Sequence, residues 1–95
     1  MLRHVVVFRF NEISAAQFAA IDEALGGLTE QIPALQDYSF GRDLRLSATN
    51  GDYAITALVD DESALEEYMS HPAHLLARQL IDPHVETATA VQLTA

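Results

Sequence analysis

The strongest constraint on the fold is the opening run Arg3-His4-Val5-Val6-Val7-Phe8-Arg9-Phe10, which is apolar on both of its faces. β-Branched and aromatic residues at this density make residues 3–10 a strand. Side chains alternate along a strand, so His4, Val6, Phe8 and Phe10 share one face and Arg3, Val5, Val7 and Arg9 the other. With apolar residues on each side, the strand needs cover on both, which places it centrally in a sheet.

Ser14 opens a helix. Gln17 stands three residues on, a capping box, and Ile13 can staple onto Phe18. Phe18, Ile21, Leu25 and Leu28 recur at helical spacing as one buried stripe, with Asp22, Glu23 and Glu30 off it. Gly26-Gly27 weakens this helix late in its course, and Pro33 lies beyond its end. Residues 36–44 read as a second strand, with Tyr38, Phe40 and Arg42 on one face. Residues 53–60 read as a third, joined to the second by a turn containing Asn50-Gly51. Asp60 or Asp61 caps the next helix, whose inner face carries Leu65, Tyr68 and Met69. Pro72 ends that helix and suits the first position of another, on which His74, Ala77 and Ile81 align. Asp82-Pro83 stops it, and residues 86–94 alternate as a fourth strand.

The order β-α-β-β-α-β is that of a ferredoxin-like α+β fold, a four-stranded antiparallel sheet with helices on one face. The chain of 95 residues is expected to be one domain, 1–95. Phe8, Phe18, Ile21, Leu25 and Leu65 are the expected core. The sheet face bearing Val5 and Val7 is left without helices, so a second sheet should cover it, as in a two-fold homodimer.

Composition removes several kinds of chemistry. There is no Cys, hence no disulfide, thiolate nucleophile or Cys-based metal site. The five basic residues are all Arg, which excludes Schiff-base chemistry on a lysine. A net charge of −9 disfavours nucleic acid and anionic membranes as partners. Residues 2–10 are too short for a membrane span and lack the flanks of a signal peptide, so a cytoplasmic location is expected. No Gly-rich phosphate loop or nucleophile elbow is present. A metal site built on His71, His74 and an acid lacks a third clear ligand, and neither a metal nor a cofactor is expected.

Functional chemistry concentrates in Tyr68-Met69-Ser70-His71-Pro72-Ala73-His74. A phenol and an imidazole meet there at a helix junction. In the first turn of its helix, His74 lies at the positive end of the dipole, which keeps the ring neutral and basic. A neutral imidazole can take a proton from a carbon between two carbonyls, and a Tyr68 hydroxyl can donate to the developing enolate oxygen. The same pair also reads as buried polar groups satisfying each other and the backbone. His71 reads as a helix cap, His84 as an exposed turn residue, and His4 as either a pocket wall or a hydrogen-bonded core residue. Tyr38, Phe40, Phe8, Phe18 and Met69 can line an apolar cavity or simply fill a core.

The chain resembles the stress-responsive dimeric α/β-barrel family over nearly its whole length. The resemblance is carried by the first-strand run, by Ile32-Pro33-Ala34-Leu35, by Tyr38-Ser39-Phe40-Gly41-Arg42-Asp43, by Tyr53-Ala54-Ile55 and by the segment from Tyr68 to His74. It implies a homodimer. It also implies kinship with a plant polyketide cyclase that folds a linear poly-β-ketone by aldol condensation without a cofactor. On that resemblance His74 falls on the catalytic His, Tyr68 on its partner and His4 on a pocket His. Ile55 stands where the cyclase has a further pocket His. Val6, Phe8, Tyr38 and Ile55 are, with His4, the candidate substrate-binding residues of this chain. Two readings stay open: a cofactor-independent cyclase, lyase or isomerase acting on a small apolar, keto or aromatic ligand, and a non-catalytic ligand-binding or stress-associated dimer.

The expected sheet-to-sheet dimer is tested by Val5→Glu and Val7→Glu. An unpaired carboxylate buried in the interface is costly, so sedimentation should show monomer or aggregate where the wild type is a dimer at micromolar concentration.

Overall fold

The computed structural model describes residues 1–95. Strand β1 spans Leu2–Phe10, helix α1 Ala15–Gly26 and the short helix α2 Leu28–Gln31. Strands β2 (Asp37–Arg42) and β3 (Tyr53–Val59) follow, then helices α3 (Glu62–Ser70) and α4 (Pro72–Ile81). A single 3-10 turn, Asp82–His84, leads into β4 (Val85–Thr94). The sheet order is β2-β3-β1-β4 with every neighbouring pair antiparallel, the ferredoxin-like arrangement.

Local chemistry starts and stops the helices where the sequence indicates. Ser14 Oγ accepts from Gln17 N at 3.1 Å and Ser14 N donates to Gln17 Oε1 at 2.8 Å, a complete capping box. Asp61, not Asp60, caps α3 by accepting from Ala64 N at 2.9 Å. The stripe expected to run unbroken to Leu28 is interrupted: α1 stops at Gly26, Gly27 caps it, and Leu28 begins α2. Two adjacent glycines, each with a poor preference for helix, allow the axis to break while Leu28 stays in the core.

The core lies between the helices and the inward face of the sheet. Phe18, Ile21, Leu25, Leu28, Ile32, Tyr53, Ile55, Ala57, Val59 and Ile81 are all buried. Phe10 packs 5.7 Å from Phe18, and Tyr53 stacks 6.2 Å from Phe18, centroid to centroid. Tyr53 also donates to the Asp22 carboxylate, which ties α1 to the start of β3. Two expected core residues are only partly buried: Phe8 lines an open cavity instead of meeting a helix, and Leu65 packs at the margin of the core. Met69, expected on the inner face of its helix, is 37% exposed, because it sits where that cavity meets solvent.

The β2–β3 connection is not a tight Asn-Gly turn. Residues 43–52 form a longer loop in which Arg45, at φ 59°, is the left-handed residue and no glycine has positive φ. Gly51 is required for a different reason. A Cβ there would stand 2.6 Å from Val7 Cγ1 and 3.2 Å from the Phe8 carbonyl oxygen, so the chain can cross β1 only without a side chain. Asp52 N donates to that same carbonyl at 2.8 Å, and Asp52 Oδ2 accepts from Phe10 N at 2.7 Å. Arg45 pairs with the remaining oxygen of Asp52, and this closes the loop onto the end of β1.

The opposite face of the sheet carries no helix. Val7, Val91 and Leu93 are 42%, 54% and 48% exposed there, beside Val5, which pairs with Thr56 and Val91 across the ladders.

Leu25 is 1% exposed in the centre of the α1 face. Leu25→Ala should lower the unfolding free energy by about 2–5 kcal/mol in chemical denaturation, and a change below about half a kcal/mol would contradict this packing.

Candidate active site

The site is built around the corner between α3 and α4. His71 has an extended backbone, with φ −63° and ψ 136°, and serves as C-cap of α3 and N-cap of α4 at once. Its Nδ1 accepts from Ala73 N at 3.1 Å, the capping role expected of it. Pro72 occupies the first helical position, where its missing N–H costs nothing. The sharp turn brings Tyr68 and His74 together, with ring centroids 4.4 Å apart. They do not hydrogen-bond to each other. The Tyr68 hydroxyl is bonded to the Tyr38 hydroxyl at 2.9 Å, and His74 Nδ1–H donates to the Met69 carbonyl at 3.0 Å.

That last bond determines the chemistry of His74. A ring that donates from Nδ1 carries a free lone pair on Nε2 when neutral. On the sheet side, Gln92 of β4 donates through its amide to Nδ1 of His4 at 2.8 Å. His4 is therefore in the opposite tautomer, with its proton on Nε2. Neither Nε2 has a protein partner, yet no buried side-chain nitrogen or oxygen is left unpaired. Both Nε2 atoms therefore open onto the cavity that His4 and His74 line. One wall offers a donor and the other an acceptor.

The cavity has a volume of about 450 Å³, within the usual range for small-molecule sites. Val6, Phe8 and Ile55 form its floor on the sheet, and Ala88 and Ala90 of β4 widen one side. Leu25, Ala77 and Ile81 supply the helical wall, while Met69, Arg78 and Asp82 also line it. Six residues singled out from sequence thus meet in one place: His4, Val6, Phe8, Ile55, Tyr68 and His74. Tyr38 stands behind Tyr68 and reaches the cavity only through that hydroxyl pair. His84 is half-buried, with Nδ1–H donating to the Glu12 carbonyl at 3.3 Å, away from the site. Gln92, Arg78 and Asp82 were not anticipated. Gln92 is nonetheless the one polar residue on the inward alternation Ala88, Ala90, Gln92, and Arg78 stands one helical turn beyond His74.

Burial is the main influence on the titration of these groups. It lowers the pKa of His4 and is the largest cause of the lowering at His74. At His74 the Met69 carbonyl and Asp82 act the other way, while Arg78 and His4 add to the lowering. Burial also raises the pKa of Tyr68, against an opposing effect of the bond to Tyr38, so the phenol stays protonated at neutral pH. No three His, Cys, Asp or Glu side chains converge in a way that could hold a metal ion. No helix is long and apolar enough to cross a membrane.

The two imidazoles make stability depend on pH. Below their ordinary value of 6.5 the unfolded chain takes up protons that the folded chain still refuses, so stability falls as pH drops from 7 toward 5. Denaturation midpoints should show this slope in the wild type and a flatter one in a His4→Gln/His74→Gln double variant. Asp52, whose pKa is lowered chiefly by the Phe10 N–H, acts in a separate window below 3.8 and should be unaffected.

Both sequence and fold have counterparts among known proteins. Residues 2–95 match the Stress Responsive A/B Barrel Domain. An uncharacterised protein of Streptomyces coelicolor is 34% identical over 77 residues, covering 78% of this chain and 79% of the relative. Olivetolic acid cyclase of Cannabis sativa is 30% identical over 77 residues, covering 78% of this chain and 76% of the cyclase. The crystal structure of a dimeric ferredoxin-like protein of unknown function from Thermobifida fusca superposes with a TM-score of 0.93 at 37% identity, over 99% of this chain and 90% of that one. With the family domain spanning nearly every residue, this chain belongs to the stress-responsive A/B barrel family.

Proposed function

We propose that the protein is a homodimeric, cofactor-independent catalyst of proton abstraction from a small keto substrate, of the aldol-cyclase or isomerase type, with His74 as general base. The observation that carries this reading is the unpartnered Nε2 of His74. It is a lone pair aimed into an apolar cavity, on a ring whose other nitrogen is held by the Met69 carbonyl. Burial keeps the ring neutral, which is the form that accepts a proton.

A β-dicarbonyl in the cavity loses its central proton to His74 Nε2. Negative charge then develops on a carbonyl oxygen. His4 Nε2–H can donate to that oxygen, and so can the Tyr68 hydroxyl when it accepts from Tyr38. Preorganised donors in a largely apolar cavity lower the energy of the enolate. The enolate carbon is then free to attack a second carbonyl or to be reprotonated elsewhere. The likeness to olivetolic acid cyclase points the same way. The dimer is supported by the exposed Val7, Val91 and Leu93 on the helix-free face and by the dimeric state of the Thermobifida protein.

A second reading, a non-catalytic dimer that binds a small ligand in the same cavity, draws on two features. Tyr68 is engaged by Tyr38 and not by His74, and the apolar Ile55 narrows the polar contacts on the floor.

Deuterium exchange separates the two. Wild type in D2O should accelerate exchange at the carbon between the carbonyls of a β-keto ester, followed by NMR. His74→Ala should lose the acceleration by about a hundredfold or more while keeping its fold. Tyr68→Phe should lose about a hundredfold or less, because the His4 donor remains. The rate should rise with pH and be flat above 6.5, since the His74 pKa lies below that value. Exchange by wild type no faster than buffer, or an active His74→Ala, would leave the binding reading.

A further inference from the structure

We infer that Arg78 makes this cavity selective for a monoanionic, amphipathic ligand: an apolar chain bearing a carboxylate that pairs with Arg78, with the carbonyl deeper between His4 and His74. The inference rests on the cavity being the ligand site proposed above, and it names the class of ligand.

Arg78 is the one basic side chain that lines the cavity. The other four are engaged elsewhere or face away. Arg3 pairs with Asp37 at 3.8 Å, Arg42 lies 4.1 Å over the Phe18 ring, and Arg45 is held by Asp43 and Asp52. Arg9 is exposed on the strand face opposite His4, Val6 and Phe8. With a net charge of −9, the molecule as a whole repels anions. Arg78, shared there with Asp82, is then the one guanidinium a ligand in this largely apolar cavity can reach.

The orientation of Arg78 also fits this role. It follows His74 by one helical turn, so the guanidinium and the imidazole lie along the same wall. Asp82 pairs with Arg78 Nη2 at 3.1 Å, both side chains being about half-exposed, at 50% and 51%. An exposed i,i+4 pair of this kind contributes little to stability. Its other consequence is geometric: it holds one nitrogen of the fork. The remaining guanidinium donors have no protein partner and can take a carboxylate. Asp82 is acidic and also lines the cavity, so a ligand with a second negative charge is disfavoured there.

Calorimetric titration of β-ketooctanoate and its methyl ester, with octanoate and methyl octanoate as controls, tests the inference. Wild type should bind each acid about tenfold or more tighter than its ester. Arg78→Gln should bring that ratio close to one, and Arg78→Lys should retain an intermediate ratio, since it keeps the charge but loses the planar fork. Equal affinity of acid and ester for the wild type, a ratio that survives in Arg78→Gln, or no binding of either acid at millimolar concentration would overturn it. The ligand class and the catalytic reading fail separately. If octanoate shows the same Arg78-dependent ratio and no deuterium exchange is seen with β-keto esters, the anion site stands and the proton-abstraction reading falls.

Discussion

The site is registered from β1, one of the two interior strands, which hydrogen-bonds to β3 on one side and to β4 on the other. Its inward residues set the depth of the core and the floor of the cavity. His4 lies opposite Ala57 and Gln92, Val6 opposite Ile55 and Ala90, and Phe8 opposite Tyr53 and Ala88. Tyr53 and Ile55 on the β3 side and alanines on the β4 side explain why the core beside Val6 and Phe8 is fuller on one flank of β1 than on the other. Where β4 offers only methyl groups, Phe8 and Val6 do not meet a facing side chain, and a void of about 450 Å³ remains. A one-residue slip of β4 would turn Gln92 to the outer face and place Val91 or Leu93 inside. Both the void and the His4 tautomer depend on that register.

The polar groups of the site show how an apolar cavity tolerates two imidazoles and two phenols. Each buried heteroatom is bonded to another group of the protein, and the atoms left over are those that face the cavity. Tyr38 and Tyr68 satisfy one another. Met69 and Gln92 each take one nitrogen of a histidine, but with opposite polarity, because a carbonyl accepts and an amide N–H donates. Two chemically identical side chains thereby present a lone pair and an N–H to the cavity. The hydrogen bonds to Met69 and Gln92 hold both rings in place before any ligand enters. Its cost is visible in the lowered pKa values of both rings, which make the site a source of acid lability.

The distribution of charge complements this. Acidic residues dominate the surface, whereas the Arg side chains act locally. Arg45 braces the β2–β3 loop, Arg42 stacks on Phe18 and Arg78 stands beside the cavity. With so few cations, the position of Arg78 beside His74 weighs more than it would on a mixed surface.

The local parts of this structure were legible in the sequence. The capping box at Ser14 and Gln17, the stripe from Phe18 to Leu25, an acidic cap at Asp60 or Asp61, the Pro72 corner and the period-two strands all arise from interactions within a few residues. A linear pattern records these directly. The parts decided by tertiary structure join residues far apart in the chain. Gln92 reaches His4 only through the β1–β4 register, Tyr38 diverts the Tyr68 hydroxyl from His74 across the fold, and Gly51 is needed only because Val7 and Phe8 pass beneath it. Whether Phe8 and Met69 end in a filled core or at a cavity depends on summed volumes across facing layers, and residue type alone does not contain that quantity. The sequence determined which groups can do chemistry and on which faces they lie. The tertiary structure decided which nitrogen of each imidazole is free, because that depends on a partner brought in from another element.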